Sequence, residues 1–243
     1  MCHSDESRPP AAPNHGNVGQ HGEFVLTSAD GTEFDAYEAH PESPSTRGIV
    51  ILPDVRGLHA YYKDLADRFA EAGFHAVAID YFARTAGRTA RTDDFDYVPH
   101  WKQSTPDAVD ADARAAADHL RAAGVTSLFS VGFCFGGTNS WRQSASIPGL
   151  KGAIGFYGRP DGVLAVEDDL KAPLLLLLGG ADQAIDPASF DGMLERLAAR
   201  GLASERHVYE GAPHSFFDRR FADFADACAD AWTRILAFTD RLA

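Results

Sequence analysis

From Glu23 to the end of the chain, two kinds of segment alternate. Short runs are either continuously apolar or alternate between apolar and polar residues, and the longer stretches have apolar residues at helical spacing. The first two short runs flank the turn signal Asp30-Gly31 and predict an antiparallel hairpin. Later runs are continuously apolar, most clearly over 174–178, which is typical of parallel strands covered on both faces. The predicted strands are 24–27, 34–39, 48–52, 74–79, 127–131, 151–157, 173–178 and 204–209.

Helical spacing predicts helices over 62–72, 106–123, 187–199 and 219–242, and the stretch around 84–106 is irregular. The alternation predicts an α/β fold, with a mostly parallel central sheet covered by helices on both faces and preceded by the antiparallel hairpin. Neither a change in composition nor a fixed-period repeat divides the chain, so we expect a single domain over 23–243. Residues 1–22, rich in Pro, Asn, His and Gly, are expected to form a flexible N-terminal lead-in.

Composition and charge narrow the range of partners. A formal net charge of -13 disfavours binding to nucleic acid, although arginines inside a cleft can still bind a small anion. No apolar run approaches the ~20 residues that cross a bilayer, and the first 20 residues lack the apolar core of a signal peptide. The three cysteines, Cys2, Cys134 and Cys228, are too few for a disulfide framework, which favours a cytoplasmic setting.

Cys134 lies in the segment Gly132-Phe-Cys-Phe-Gly-Gly137, between a predicted strand and a helix. This context is that of a nucleophile elbow with cysteine in the position of serine, and the glycines prevent clashes in so tight a turn. The helix N-terminus favours a thiolate, so Cys134 is the candidate nucleophile. A buried structural cysteine and a phosphate-binding turn stay open as alternatives, although no Lys-Ser or Lys-Thr pair follows the glycines.

A thiol nucleophile needs a base and an orienting acid, which in folds of this kind follow in the order nucleophile, acid, base. Asp182 comes just after the seventh predicted strand, and His214 comes just after the eighth. Both therefore lie beyond the carboxyl ends of strands, where ligands bind in open α/β sheets. Asp186 competes with Asp182, but it precedes Pro187 as a helix N-cap does, so Asp182 is the candidate acid.

The oxyanion of an acyl transfer is bound by two backbone N–H groups, one after the nucleophile and one in the loop after an earlier strand. In this sequence these positions are Phe135 and Val55. We expect neither a cofactor nor a metal, because no His-Glu-x-x-His or comparable ligand spacing occurs. The pair Cys2 and His3 is a weak ligand set by itself.

Five segments together resemble the dienelactone hydrolase family, and the likeness runs from about Glu23 to the C-terminus. They are Pro53-Asp-Val-Arg-Gly57, Asp80-Tyr-Phe-Ala-Arg84, Gly132-Phe-Cys-Phe-Gly-Gly137, Gly179-Gly-Ala-Asp182 and His214-Ser-Phe-Phe217. The resemblance implies the α/β-hydrolase fold and a catalytic triad of Cys134, Asp182 and His214. The family's best-known members hydrolyse dienelactone, an unsaturated lactone that bears a carboxylate, so the resemblance implies a lactone or ester of that kind as the substrate.

The resemblance further implies roles for residues around the thiol. Members of the family carry a glutamate at the position of Asp54 that contacts the resting thiol and is displaced by substrate, so Asp54 is the expected thiol gate, one methylene shorter. Arginines at the positions of Arg84 and Arg219 clamp the carboxylate of the lactone in those members. Arg56, where an apolar residue is more familiar, and Tyr157 complete the candidate substrate-binding set.

We therefore expect a hydrolase that opens a small ester or lactone, including one that bears a carboxylate, through a thioester acyl-enzyme. A broad carboxylesterase acting on neutral esters stays open, since only the arginines separate the two. A non-catalytic small-molecule receptor of the same fold is a further alternative, although such proteins usually lack a triad residue. The expected partner is the small-molecule substrate, without nucleic acid or membrane, for a monomer or small homo-oligomer.

Overall fold

A single eight-stranded sheet organises the protein, in a computed structural model that describes residues 5–13, 16–218 and 221–243. The strands are β1 (Val18–Thr27), β2 (Glu33–Pro41), β3 (Arg47–Leu52), β4 (His75–Ile79), β5 (Ser127–Phe133), β6 (Gly152–Phe156), β7 (Leu174–Gly179) and β8 (Glu205–Tyr209). Their order in the sheet is β1-β2-β4-β3-β5-β6-β7-β8. Strands β1 and β2 pair antiparallel with each other, β2 pairs antiparallel with β4, and every later pairing is parallel. The predicted hairpin and mostly parallel sheet are confirmed.

Helices cover both faces of the sheet, as predicted. They are α1 (Ala60–Glu71), α2 (Ala83–Ala86), α3 (Val98–Gln103), α4 (Pro106–Ala122), α5 (Phe135–Ser146), α6 (Pro160–Leu164), α7 (Asp191–Ala199) and α8 (Ala225–Leu242). One core cluster joins the sheet to α1 and α8, through residues such as Phe69 and Trp232. The other joins it to α4, α5 and α7, through residues such as Trp141. Alternate residues of β3 enter opposite clusters, because successive side chains of a strand point to opposite faces.

Side-chain capping accounts for the starts of α1 and α4. Thr105 caps α4 by accepting a hydrogen bond from the backbone of Ala108 at 3.3 Å. The predicted helix over 187–199 divides in two, because a 3-10 turn over Pro187–Phe190 precedes α7. The predicted helix over 219–242 likewise begins later, at α8, after a 3-10 turn over Phe221–Phe224. The irregular stretch around 84–106 contains α2 and α3.

The N-terminal boundary differs from the prediction of a flexible lead-in over 1–22. Strand β1 begins at Val18, so its pairing with β2 extends into that segment. The described residues before it also contact the body of the protein: Ala12 is 2% exposed, and the indole of Trp232 donates a hydrogen bond to the Pro10 carbonyl at 3.0 Å. Cys2 and His3 lie outside the described residues. Among the described helices, none combines the length and hydropathy that a bilayer-spanning segment requires.

Candidate active site

Cys134 lies on the turn between β5 and α5, in a conformation that few side chains adopt. Its φ is 54° and its ψ is -113°, where a non-glycine residue costs of order 1–3 kcal/mol. The turn is held by its own backbone, because the Cys134 amide donates to the Phe156 carbonyl at 3.0 Å and the Gly137 amide donates to the Cys134 carbonyl at 3.0 Å. The predicted strand-turn-helix elbow is confirmed.

The glycines around Cys134 are required by space rather than by flexibility. A Cβ atom added to Gly132 would lie 1.9 Å from the carbonyl oxygen of Gly136. One added to Gly136 would lie 2.0 Å from the carbonyl oxygen of Leu52, at the end of β3. Both obstacles are backbone atoms, which cannot move aside as the end of a side chain can. The predicted role of the glycines in preventing clashes is confirmed.

His214 and Asp182 meet at the carboxyl edge of the sheet, in the loops after β8 and β7. Nδ1 of His214 lies 2.7 Å from Oδ2 of Asp182, whose side chain is 1% exposed. The other carboxylate oxygen of Asp182 accepts backbone hydrogen bonds from Ala184 at 2.8 Å and Ile185 at 3.2 Å. By contrast, Asp186 accepts a hydrogen bond from the Ala188 amide at 2.9 Å and caps the following 3-10 turn, as predicted.

The electrostatic environment favours the charged forms of His214 and Asp182. Burial lowers the pKa of His214, but hydrogen bonds to Asp182 and Cys134 and the charges of both groups outweigh it and raise that pKa to about 10. Burial raises the pKa of Asp182, but the hydrogen bonds from His214 and from two backbone amides hold it below its usual range. His214 is therefore an imidazolium at neutral pH. A cation beside a thiol favours the thiolate, which is the nucleophilic form of cysteine.

A cavity of about 410 Å³ opens over Cys134 and His214. Its wall is completed by Val55, Trp101, Pro106, Phe135, Thr138, Asn139, Arg142, Tyr157, Arg159, Asp161, Gly162, Ala184 and Ile185. A larger groove of about 710 Å³ runs between β8 and the start of α8, but neither Cys134 nor His214 lines it. We place the candidate site in the smaller cavity because it alone of the two contains the thiol and the imidazole. Its volume suits a small-molecule ligand.

The two predicted oxyanion donors, Val55 and Phe135, both line this cavity. Phe135 is the first residue of α5, where a backbone N–H has no intrahelical acceptor. Val55 is in the turn after β3, and the side chain of Asp54 is fully buried beneath that turn. Oδ1 of Asp54 accepts a hydrogen bond from the Arg56 amide at 2.9 Å. Thiol gating by Asp54 stays a prediction.

The structure does not bring Arg56 and Arg84, two of the predicted substrate-binding arginines, into the cavity. The guanidinium of Arg84 is held by Asp112 at 2.7 Å and by Asp30 at 2.8 Å, and Arg84 is not among the residues of the cavity wall. Arg56 is 3% exposed, forms an ion pair with Asp93, and is likewise not part of that wall. Both contacts are made to acids of distant segments, which sequence spacing does not reveal. Arg219 lies outside the described residues.

Two other arginines reach the cavity. Arg142, on α5, is nearly buried and forms an ion pair with Asp110 at 2.9 Å. Arg159 is exposed, and its ion pair with Asp161 is longer, at 3.4 Å. Arg159 follows β6 by three residues, so the rule that identified Asp182 also applies to it. Trp101, on α3, is a third contributor from a stretch where the sequence predicted no element.

Tyr157 lines the cavity, as its predicted role requires, and it also supports the histidine loop. Its ring centroid lies 4.8 Å from that of His214. Its hydroxyl donates a hydrogen bond to Oδ2 of Asp218 at 3.0 Å, and both residues are fully buried. Tyr157 therefore fastens the end of β6 to the loop that carries the imidazole.

Among the described residues, one group of three potential metal ligands lies together: Asp5, His59 and Asp93. Nδ1 of His59 accepts the Tyr61 amide at 3.2 Å, so the proton of the neutral ring is on Nε2, which lies 2.6 Å from Oδ1 of Asp5. Burial and the charge of Arg56 lower the pKa of His59, which favours that neutral ring. Nε2 of His59 carries a proton, and Asp93 is already paired with Arg56. These three side chains therefore fit a cluster of ion pairs better than they fit a site for a metal cation.

Comparison with known proteins identifies the family to which the chain is similar. A model of the dienelactone hydrolase family matches residues 34–242. A candidate carboxymethylenebutenolidase of Methylorubrum extorquens is 33% identical over 229 residues, which cover 88% of this chain and 78% of that protein. A candidate carboxymethylenebutenolidase of Escherichia coli K12 is 28% identical over 232 residues, covering 88% and 84%. The crystal structure of a candidate dienelactone hydrolase of Klebsiella pneumoniae superposes with a TM-score of 0.73 at 27% identity, covering 91% of this chain and 99% of that one.

Proposed function

The chain belongs to the dienelactone hydrolase family, and we propose that it hydrolyses a carboxylic ester or lactone with Cys134 as nucleophile, His214 as acid and base, and Asp182 as the group that orients His214. The observation that carries the proposal is the hydrogen-bonded series Cys134, His214 and Asp182, of which Cys134 and His214 line one cavity. Each position in that series matches the role that acyl transfer by a thiol demands.

In the first half of the reaction, the thiolate sulfur of Cys134 attacks the carbonyl carbon of the ester. The carbonyl electron pair moves to oxygen, where the backbone N–H groups of Val55 and Phe135 stabilise the negative charge. When the tetrahedral intermediate collapses, the C–O bond to the leaving group breaks and the His214 imidazolium donates its proton to that oxygen. The product is a thioester on Cys134, and in a lactone the freed hydroxyl remains part of the same acyl group.

In the second half, His214 is neutral and accepts a proton from a water molecule that attacks the thioester carbonyl. The C–S bond then breaks, the carboxylic acid leaves, and the thiolate and imidazolium are restored. Asp182 keeps His214 in one tautomer throughout, because its carboxylate accepts from Nδ1 and leaves Nε2 directed to the reaction. The chemistry uses only side chains, backbone amides and water.

A second candidate within this reaction class is hydrolysis of neutral esters, which the apolar part of the cavity wall supports. Val55, Trp101, Phe135 and Ile185 make much of that wall apolar, which suits a substrate with an aliphatic or aromatic group. The two described arginines expected to bind a carboxylate, Arg56 and Arg84, are engaged elsewhere. We propose a small ester or lactone as the partner, in a cytoplasmic setting that keeps the thiol reduced, for a monomer or small homo-oligomer.

Turnover of p-nitrophenyl esters and lactones by Cys134→Ala and by Cys228→Ala tests the proposal. Cys228 is buried in α8, 1% exposed, and serves as the matched control. We expect Cys134→Ala to abolish hydrolysis and iodoacetamide to inactivate the wild type in step with alkylation of Cys134, while Cys228→Ala keeps its activity. Near-normal hydrolysis by a folded Cys134→Ala variant would falsify the assignment of the nucleophile.

A further inference from the structure

The turn after β3 leaves one backbone amide for a ligand. The Gly57 amide donates to the Asp54 carbonyl at 3.2 Å, and the Arg56 amide donates to the Asp54 side chain at 2.9 Å. Among the hydrogen bonds of the described residues, none uses the N–H of Val55, the residue of this turn that lines the cavity. The geometry of the turn therefore decides where the proposed oxyanion donor points.

A second feature is the way in which the far side of this turn is fixed to the protein. A Cβ atom on Gly57 would lie 2.5 Å from Oδ1 of Asp80, so the turn packs directly on that carboxylate. The Leu58 amide donates to the same oxygen at 3.3 Å. Arg91 binds Asp80 through both Nε, at 3.0 Å, and Nη2, at 2.8 Å, and is itself buried.

The near side of the turn is fixed by Arg56. Its guanidinium forms an ion pair with Asp93, which lies two residues beyond Arg91 in the same loop. That loop therefore contacts the turn directly through Asp93 and indirectly through Arg91, which binds Asp80. Asp93 is held in turn by Asp5: the Asp5 amide donates to Oδ2 of Asp93 at 2.9 Å, and the Asp93 amide donates to Oδ1 of Asp5 at 3.2 Å. Oδ1 of Asp5 also lies 2.6 Å from Nε2 of His59, at the start of α1.

We propose that Arg56 is a positioning residue, which holds the Val55 amide at the oxyanion through its ion pair with Asp93. This inference rests on the proposed function, because it assigns Arg56 to the oxyanion of that reaction and not to the substrate carboxylate. The buried guanidinium closes a ring of contacts from the turn through Asp93, Arg91 and Asp80 back to the turn. Without the ion pair between Arg56 and Asp93, the turn keeps its contact to Asp80 and the hydrogen bond from the Tyr81 hydroxyl to the Pro53 carbonyl, but loses this attachment beside Val55.

The expected effect is on the chemical step. Removal of one oxyanion donor costs about a hundredfold to a thousandfold in turnover, and a displacement of about 1 Å costs about a hundredfold. Loss of the Arg56 anchor displaces the donor without deleting it, so we expect Arg56→Met to lower kcat by about tenfold to a hundredfold. KM should change little, because Arg56 does not line the cavity.

The experiment compares Arg56→Met, Arg56→Lys and Asp93→Asn in the full chain, with Arg47→Met as the matched control. Arg47 lies at the opposite end of β3 and binds Asp240 at 2.8 Å, so its loss removes a comparable ion pair far from the turn. Three quantities are measured for each protein: kcat and KM on a neutral p-nitrophenyl ester and on a carboxylate-bearing lactone, the melting temperature, and the rate constant for alkylation of Cys134 by iodoacetamide. Alkylation builds no oxyanion at a carbonyl, so it reports on the thiolate alone.

We expect kcat to fall on both substrates for Arg56→Met and Asp93→Asn, with alkylation within about twofold of wild type and partial recovery in Arg56→Lys. Unchanged kcat, a parallel loss of alkylation, or a loss of kcat in Arg47→Met as large as in Arg56→Met would overturn the inference. A rise in KM confined to the carboxylate-bearing lactone would instead make Arg56 a substrate-binding residue. If the wild type hydrolyses neither substrate, or Cys134→Ala hydrolyses both, the proposed function fails, and that result differs from each of the others.

Discussion

Oδ2 of Asp182 lies 2.7 Å from Nδ1 of His214, although the two residues are 32 positions apart in the chain. An ionised carboxylate can only accept a hydrogen bond, so Nδ1 of the imidazole must donate. Nε2 is then the nitrogen that is left for the proposed proton transfers with Cys134 and the leaving group. The buried carboxylate of Asp182, fixed by two backbone amides, thus decides the protonation pattern of a ring in another loop.

Replacement of the acid by its amide tests this relationship. Asp182→Asn keeps the shape but offers His214 a donor as well as an acceptor, which permits the wrong tautomer. In a triad with a serine nucleophile, the same change lowers kcat by about four orders of magnitude. We expect a loss of kcat of at least about a hundredfold here, measured on a p-nitrophenyl ester. Asp186→Asn is the control, since asparagine also caps helical turns, and a larger loss in that variant would reassign the acid.

The pKa of His214 gives stability a defined pH dependence. Burial opposes the shift, but Asp182 and Cys134 raise that pKa from 6.5 to about 10, so the folded state holds a proton that the unfolded state has released. This stabilisation is fully present below about pH 6.5 and is lost as pH rises through about 10. Below about pH 8.5 this proton is offset by the one that Cys134 releases when it becomes a thiolate on folding. We therefore expect the free energy of unfolding to fall between about pH 8.5 and 10, by at most about 1.4 kcal/mol per pH unit. Urea denaturation at several pH values measures the slope.

The His214→Asn variant isolates this contribution, because it has no group that titrates at that position. The difference in unfolding free energy between wild type and variant should shrink as pH rises from about 8.5 to 10, above the pH at which an unfolded thiol ionises. A constant or growing difference would contradict the raised pKa.

Much of the fold could be predicted because hydrophobic patterning is local. The continuous apolar run in β7 and the alternation around the Asp30-Gly31 turn each identify their element directly. The proximity of the three proposed catalytic residues followed from the same information, since the loops after parallel strands share one edge of the sheet and bring Asp182 and His214 to Cys134. For residues with short side chains in such loops, the position after a strand end was sufficient to predict which side chains lie close together.

The partners of long charged side chains could not be predicted in this way. The guanidinium of Arg84 reaches Asp112 on α4 and Asp30 in the hairpin turn, and neither contact leaves a signal in the local sequence. The cavity wall also includes Trp101, from a stretch without clear periodicity. Tertiary packing, rather than propensity, determines these contacts.

Gly136 offers a direct test of the space around the elbow. A methyl group there would meet the Leu52 carbonyl at 2.0 Å, so Gly136→Ala must displace β3 or α5. Overpacking of this kind typically costs about 1–3 kcal/mol. Because the obstacle is a backbone atom, we expect a loss of stability of about 3 kcal/mol. Gly22→Ala is the matched control, because nothing lies within 4 Å of its added Cβ. Thermal or urea denaturation should separate the two variants, and equal stabilities would show that the elbow accommodates a side chain.

Variants of Arg84 and Arg159 test which arginine, if either, gives the site a preference for a substrate that bears a carboxylate. Arg84 forms an ion pair with Asp112, whose side chain is 1% exposed, so Arg84→Met leaves a buried carboxylate without that partner. Breaking such a pair costs roughly 3–5 kcal/mol, and the 20% exposure of Arg84 favours the lower end, about 3 kcal/mol. We expect this variant to melt at a lower temperature but to keep the wild-type ratio of kcat/KM between a carboxylate-bearing lactone and a neutral ester of similar size.

Arg159→Met should show the opposite pattern, because the exposed guanidinium of Arg159 lines the cavity and a 3.4 Å contact to Asp161 does little to occupy it. A charge-assisted hydrogen bond from arginine to a carboxylate contributes about 1.5–3 kcal/mol, which corresponds to about tenfold to somewhat over a hundredfold in kcat/KM. Turnover of the acidic lactone should therefore fall by at least about tenfold in Arg159→Met, with the neutral ester little changed. If Arg84→Met lost the acidic substrate selectively while Arg159→Met did not, carboxylate recognition would belong to Arg84, as the family resemblance implied. If neither variant discriminated between the two substrates, the apolar wall alone would set specificity, and neutral esters would be the substrates of this site.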